Sequence, residues 1–182
     1  MIFIRHVEAA ISTASSLPVK IVLLGIPADR PEIDYGWIEP AEQITQPGPG
    51  VEPILRIRRF WEKPAPYIAV PLWSRGLLWN SFVIVAQVGA MLDLFARMTP
   101  QLYTAFAEIG SILDSSFESN GIEKLYAGIP SQNFSEAILA GCSSELSVLP
   151  ATGVEWNDLG EPSRVMATLA KIGMQPGRLV WQ

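Results

Sequence analysis

A carboxylate, an ammonium group and a proline stand together at Glu62-Lys63-Pro64, directly after the alternating run ILRIRRFW. The pair offers a hydrogen-bond acceptor and a cation side by side, and the proline ends the strand that carries them. With nothing else in view, an exposed Glu-Lys pair next to a turn is the plainer account. Asn80 sits in the apolar run LLWNSFVIVAQ, where it is either a ligand contact or a buried amide satisfied by backbone. Asp158 stands in EWNDLG, which without further context reads as an ordinary Asp-Leu-Gly turn. Tyr35-Gly36 lies in the proline-framed stretch PADRPEIDYGWIEP, and a glycine there lets backbone amides approach a ligand closely. Arg56 and Arg58 share one strand face and could meet phosphate, although a solvated face is the simpler use. The lone histidine, His6, is expected on a helix surface. Cys142 follows Gly141 at a helix end and is expected to be structural.

The elements that must position these residues alternate between strand and helix. Residues 2–15 predict a helix with Ile4, Val7 and Ile11 on one face. VKIVLLGI (19–26) is a continuous branched apolar run, the pattern of a fully buried strand. YGWIEP predicts a strand closed by Pro40, QPGPG (46–50) a turn, and EPILRIRRFWEKP a strand with one buried face. APYIAVPLWSRG predicts a helix broken by Pro71, and LLWNSFVIVAQ a buried strand. Helical spacing covers 88–117, with Pro100 in a first turn. FSEAILAG predicts a helix stopping at Gly141, ELSVLPATGVEWNDLG two short strands, and EPSRVMATLAKIG a closing helix. Strands interleaved with helices indicate an α/β fold around a mixed sheet in a single domain, 1–182.

Composition narrows the function. Of the 182 residues 49% are apolar and 17% charged, with a formal charge of -5. That acidity argues against nucleic-acid binding, which calls for a basic face. One cysteine excludes an internal disulfide and a multi-cysteine zinc site. Glu8 interrupts any signal-peptide core, and a cytoplasmic location is expected, so the Asn133-Phe134-Ser135 sequon is read as chance. The stretch 76–95 approaches a membrane span, but Asn80, Ser81, Gln87 and Asp93 interrupt it, so a strand running into a helix is expected.

Taken in order, LLGIPADRPEIDYGWIEP, FWEKP, LWNSF and GVEWNDLG resemble the sugar-1-phosphate nucleotidyltransferases, with the mannose-1-phosphate guanylyltransferases the nearest branch. The resemblance implies a nucleotide-diphospho-sugar transferase fold (GT-A-like, Rossmann-type): a mixed, mostly parallel sheet with helices on both faces, here incomplete. It implies that Tyr35 and Gly36 lie against sugar and nucleotide. Glu62 would accept hydrogen bonds from sugar hydroxyls, Lys63 would meet the sugar phosphate, and Asn80 would bind the sugar. Asp158 would hold catalytic magnesium, so Lys63 and Asp158 are the implied catalytic residues. The activity implied is transfer of a nucleotidyl group from a nucleoside triphosphate such as GTP, giving a nucleotide sugar such as GDP-mannose. Two positions depart from the family's pattern: Phe82 replaces a usual Gly, and Asn133 stands where Asp is common.

The family's Gly-rich GGxGxR…PK signature and its first metal-binding Asp have no counterpart here. In a charge-stabilising site, losing one donor costs about 2–4 kcal/mol. Impaired turnover is therefore expected, with the chain corresponding to the C-terminal part of the family's domain. An uncovered edge is expected at VKIVLLGI, for pairing with a complete homologue or an N-terminal half. The alternative readings are a non-catalytic binding or regulatory module and a truncated remnant.

Overall fold

The computed structural model describes residues 2–16, 21–46 and 48–174. Val19 and Lys20 of the expected strand and Pro47 of the expected turn lie outside the described residues. The elements run α1 (Ile2–Ser16), β1 (Ile21–Pro27), β2 (Trp37–Gln43), β3 (Leu55–Trp61), α2 (Pro66–Ser74), β4 (Leu78–Ala86), α3 (Val88–Met98), α4 (Pro100–Ile109), α5 (Glu118–Gly128), β5 (Ser147–Pro150) and α6 (Pro162–Lys171). A π-helical turn, Ser135–Leu139, stands where an α-helix is expected. The stretch after β5 adds no second strand. Contacts divide the chain into two compact units, Met1–Thr152 and Gly153–Gln182.

In the first unit the strands close into a barrel in the order β1-β4-β2-β3-β5. The mixed α/β class agrees with expectation, but the mostly parallel pairing does not. Only β1 with β5 is parallel; β1/β4, β2/β4, β2/β3 and β3/β5 are all antiparallel. A parallel pair needs a long crossover, and the chain between β1 and β5 supplies one. The expected open edge at VKIVLLGI is likewise absent, because β1 is bonded to β4 on one side and β5 on the other.

β1 is buried over its first six residues, and its alternation decides what each side chain meets. Ile21 and Leu23 join a core with Ile57, Phe60, Leu94 of α3, and Ile138 and Leu139 of the π-helical turn. Val22 and Leu24 join a second core with Ala10 and Ala14 of α1. Pro40, expected to end β2, lies inside it at a register shift against β3, where a residue without an N–H is tolerated.

α1 forms as the sequence predicts, but it buries a different face. His6, Ala10 and Ala14 are turned inward, while Ile4 and Ile11 stay exposed. Spacing of four residues and two alanines let the helix lie close on the strands. Gln87 Nε2 donates to the Ala14 carbonyl at 2.6 Å and ties down the helix end. His6 is therefore not a surface residue: it has no exposure, and its Nδ1 meets the Ile2 carbonyl at 3.0 Å. Among the described residues no helix is long and apolar enough to cross a membrane, and the 76–95 stretch divides between β4 and α3.

Cys142 and Glu145 in this unit titrate away from their ordinary values. Burial pushes the Cys142 thiol up to about 11, and its Sγ donates to the Ile138 carbonyl at 2.8 Å. The expected result is no reaction with a thiol reagent at pH 8 until denaturant is added; rapid native-state labelling would contradict this packing. Arg97 holds the Glu145 carboxylate in two bonds, 2.8 and 2.6 Å, and the hydrogen bond keeps Glu145 below the usual range. A depressed carboxylate stabilises the fold above its unfolded value of about 4.3, and that contribution disappears as pH falls through the lower folded value. Acid unfolding of Arg97→Ala and wild type should therefore differ at pH 6 and converge near the acid end; a constant difference would count against the pair.

Candidate functional site

The loop between β1 and β2 is organised around Glu32. Its carboxylate accepts from the amides of Ile33 (3.0 Å) and Asp34 (3.3 Å) and from the Arg30 guanidinium (3.3 Å). Its backbone carbonyl accepts from Trp37 Nε1 at 2.8 Å. Arg30 also pairs with Asp29 at 3.0 Å and lies 5.0 Å over the Trp79 ring. Burial works against the Arg30 cation, yet Asp29 and Glu32 outweigh it and its pKa is raised. Tyr35 meets the same Trp79 edge-on at 5.2 Å, and Trp37 does so at 6.1 Å. Prolines alone suggested the stiffness of this loop; the hub that fixes it is Glu32 with Trp79.

Gly36 brings the ends of three strands to one point. The Asn80 amide of β4 donates to the Gly36 carbonyl at 2.7 Å. A methyl at Gly36 would lie 2.8 Å from Phe60 Cζ, 3.2 Å from Glu62 Oε2 and 3.3 Å from Asn80 Cβ. Tyr35, Gly36, Glu62 and Asn80 are thus brought together, with Lys63 next along the chain. Glu62 is half-buried and makes no hydrogen bond or ion pair among the described residues. Lys63 is exposed and its backbone is left-handed, at φ 42°.

β4 is distorted beside Asn80. Leu23 pairs with Ile84 and Gly25 with Asn80, so Ser81, Phe82 and Val83 oppose Leu24 alone. Ser81 Oγ donates to the Leu24 carbonyl at 2.6 Å and accepts from the Val83 amide at 3.2 Å, which satisfies groups that the bulge takes out of the ladder. Phe82 forms the apex at φ 62°, a conformation natural for the Gly usual in the resembled family. Its amide donates to Asn80 Oδ1 at 3.1 Å, and its ring stands edge-on to Phe134 at 5.9 Å. Bulges next to binding sites re-aim side chains. Sequence reasoning missed Phe60, Glu32 and Trp79; Phe82 was marked only as a departure from Gly.

The other candidates resolve differently. Arg56 pairs with Glu42 at 2.9 Å and Arg58 approaches Glu39 at 3.8 Å, which makes theirs the solvated, ion-paired face. Asn133 Oδ1 accepts from the amides of Ser135 (2.9 Å) and Glu136 (3.3 Å), so it caps the π-helical turn. Asp158 belongs to the second unit. There its Oδ1 accepts from the Gly160 amide at 2.9 Å and its Oδ2 from Arg164 at 3.4 Å. Among the described residues no group of three or more His, Cys, Asp or Glu could hold a metal. Magnesium can use one carboxylate with phosphates and water, so Asp158 fits it only as a single ligand released from Arg164. An open cavity of about 400 Å³ lies elsewhere, between α4 and α5, lined by Ile109, Ile112, Lys124, Leu125 and their neighbours. It contains none of the candidate residues and no convergent polar set, and the Gly36 corner is the better site on chemistry.

No family model matches the chain. It is 32% identical over 95 residues to the alginate biosynthesis protein AlgA of Pseudomonas fluorescens, covering 52% of this chain and 19% of that protein. It is 27% identical over 158 residues to a Vibrio cholerae protein that carries the name of a mannose-1-phosphate guanylyltransferase, covering 84% of this chain and 32% of that one. The chain therefore spans a third or less of these relatives. The structure of a mannose-1-phosphate geranyltransferase from Thermus thermophilus shares the fold, with TM-score 0.72 and 21% identity over 96% of this chain and 46% of that chain. Over that part of their length, the chain is related to the sugar-1-phosphate nucleotidyltransferase-like proteins.

Gly36→Ala should lower stability by about 1–3 kcal/mol, because the new methyl collides with Phe60 in a packed corner. Chemical denaturation measures this; an unchanged midpoint would show that the corner is looser than described.

Proposed function

We propose that the Gly36–Glu62–Asn80 corner binds a hexose 1-phosphate, with mannose 1-phosphate the first candidate, on the acceptor side of nucleotidyl transfer. The observation that carries this reading is that an unpaired carboxylate, Glu62, and the buried carboxamide residue Asn80 both stand against one glycine, Gly36. Glu62 would accept from sugar hydroxyls, Asn80 would hydrogen-bond the ring, and Tyr35-Gly36 would form the wall. Lys63 would neutralise the phosphate, and its left-handed backbone is the kind of strain that concentrates at ligand sites.

In the transfer itself, a sugar-phosphate oxygen would attack the α-phosphorus of GTP. The bond to the β-phosphate oxygen would break, and pyrophosphate would leave with GDP-mannose as product. This chain's part would be to orient the attacking phosphate and offset its charge. Asp158, within the second unit, would be a single ligand for magnesium, whose chemistry is charge neutralisation on phosphate. The second reading, a binding module without transfer, is favoured by the engagement of both Asp158 oxygens with Gly160 and Arg164.

Calorimetry with mannose 1-phosphate should give saturable binding by the 182-residue chain. Glu62→Gln should weaken it about tenfold or more, as expected for loss of a charged hydrogen bond. Lys63→Ala should erase the preference for mannose 1-phosphate over mannose. Equal affinity in wild type and Glu62→Gln would overturn the assignment. Pyrophosphate release with GTP and magnesium separates the two readings, since a module binds and releases none.

A further inference from the structure

We propose that Phe82 is a positioning residue for Asn80: its left-handed backbone aims its amide at Asn80 Oδ1, so that Nδ2 is the group offered to the ligand. The inference rests on the binding reading above and adds the polarity of the contact. A carboxamide can present either end, and a buried one is set by its neighbours. Asn80 is 6% exposed, and the Phe82 N–H, which can only donate, lies 3.1 Å from one end of it. That end must be the oxygen. Nδ2 makes no hydrogen bond among the described residues.

The conformation at Phe82 is what makes the contact. The bulge places three residues of β4 opposite Leu24, and the backbone at φ 62° turns the Phe82 amide back to the residue two before it. An extended residue would keep its amide in the ladder instead. The Phe82 ring, edge-on to Phe134 with Phe95 behind, braces the turn.

The two polar groups at Gly36 then have opposite capacities. Ionised Glu62 only accepts, and the Asn80 end left open only donates. One ligand hydroxyl can satisfy both, giving its proton to Glu62 and accepting from Nδ2. The site should therefore take a polyhydroxylated ring and reject the deoxy analogue that lacks that hydroxyl.

Four variants separate the parts. Phe82→Gly keeps the left-handed turn without the ring and should hold affinity for mannose 1-phosphate within about twofold. Phe82→Val, whose branched side chain resists positive φ, should lose about tenfold or more while far-ultraviolet dichroism stays native. Asn80→Asp keeps the oxygen facing Phe82 and removes the donor, so it should lose binding yet keep the Phe82 amide slow in hydrogen exchange. In Asn80→Ala that amide should exchange about tenfold faster. Equal affinities of the Gly and Val variants, or a Phe82 amide indifferent to Asn80→Ala, would overturn the proposal. If wild type binds no sugar phosphate, the function above falls, and the exchange measurement alone decides the positioning of Asn80.

Discussion

The Gly36 corner depends on the hydrogen bond from the Asn80 backbone amide to the Gly36 carbonyl, 2.7 Å long, which joins β4 to the entry of β2. β2 and β4 share few ladder positions, Trp37 with Trp79 and Ile38 with Leu78, and this bond extends the pairing past them. It also fixes how far Asn80 lies from Glu62, since Glu62 follows β3 and β3 pairs with β2 through Trp37 and Trp61. Barrel closure through β1 and β5 holds the whole register in place. A side chain at position 36 would push on Phe60 and separate the strands that meet there.

Two strained residues border the corner, and magnitudes indicate how the fold sustains one of them. A left-handed non-glycine residue costs about 1–2 kcal/mol. At Phe82 the edge-on contact with Phe134 returns about 0.5–1.5 kcal/mol, and the amide bond to Asn80 Oδ1 adds about 1 kcal/mol. The turn is therefore close to neutral in stability despite its strain. A glycine would adopt it without strain and without the ring contact. The Phe134 that receives the ring directly precedes the π-helical turn capped by Asn133, so two departures from the family pattern, Phe82 and Asn133, act around the same residue.

How much of this was legible in the sequence follows from how local each signal is. The β1 run, the alternation in β3 and the Pro100 helix start are properties of a few neighbouring residues, and they read correctly. Pairing is not local: nothing in VKIVLLGI says whether its neighbours run parallel, and closure by β5 lies more than a hundred residues away. The inward face of α1 was misread because the small residues Ala10 and Ala14, which permit close packing, carry little weight in an apolar pattern beside Ile4 and Ile11. Gly36, Glu62 and Asn80, which the structure brings together, each lie in one of the ordered motifs. Glu32 and Trp79, which hold the loop, carry no motif at all.

The distribution of charge around the barrel bears on what kind of phosphate the corner could hold. Arg30 is answered by Asp29 and Glu32, Arg56 by Glu42, and Arg58 and Arg75 both reach Glu39. Arg59 lies 4.8 Å over the Trp61 ring. These guanidiniums are committed to carboxylates or aromatic faces, and an incoming phosphate would have to compete for them. Lys63 has no ion pair among the described residues, and its ammonium sits on a flexible stem beside Glu62. A single cation beside the corner suits one phosphate monoester better than a triphosphate, which draws on several cations and metal ions together. On the reading proposed above, this local charge suits the sugar-phosphate side of a nucleotidyl transfer better than the nucleotide side.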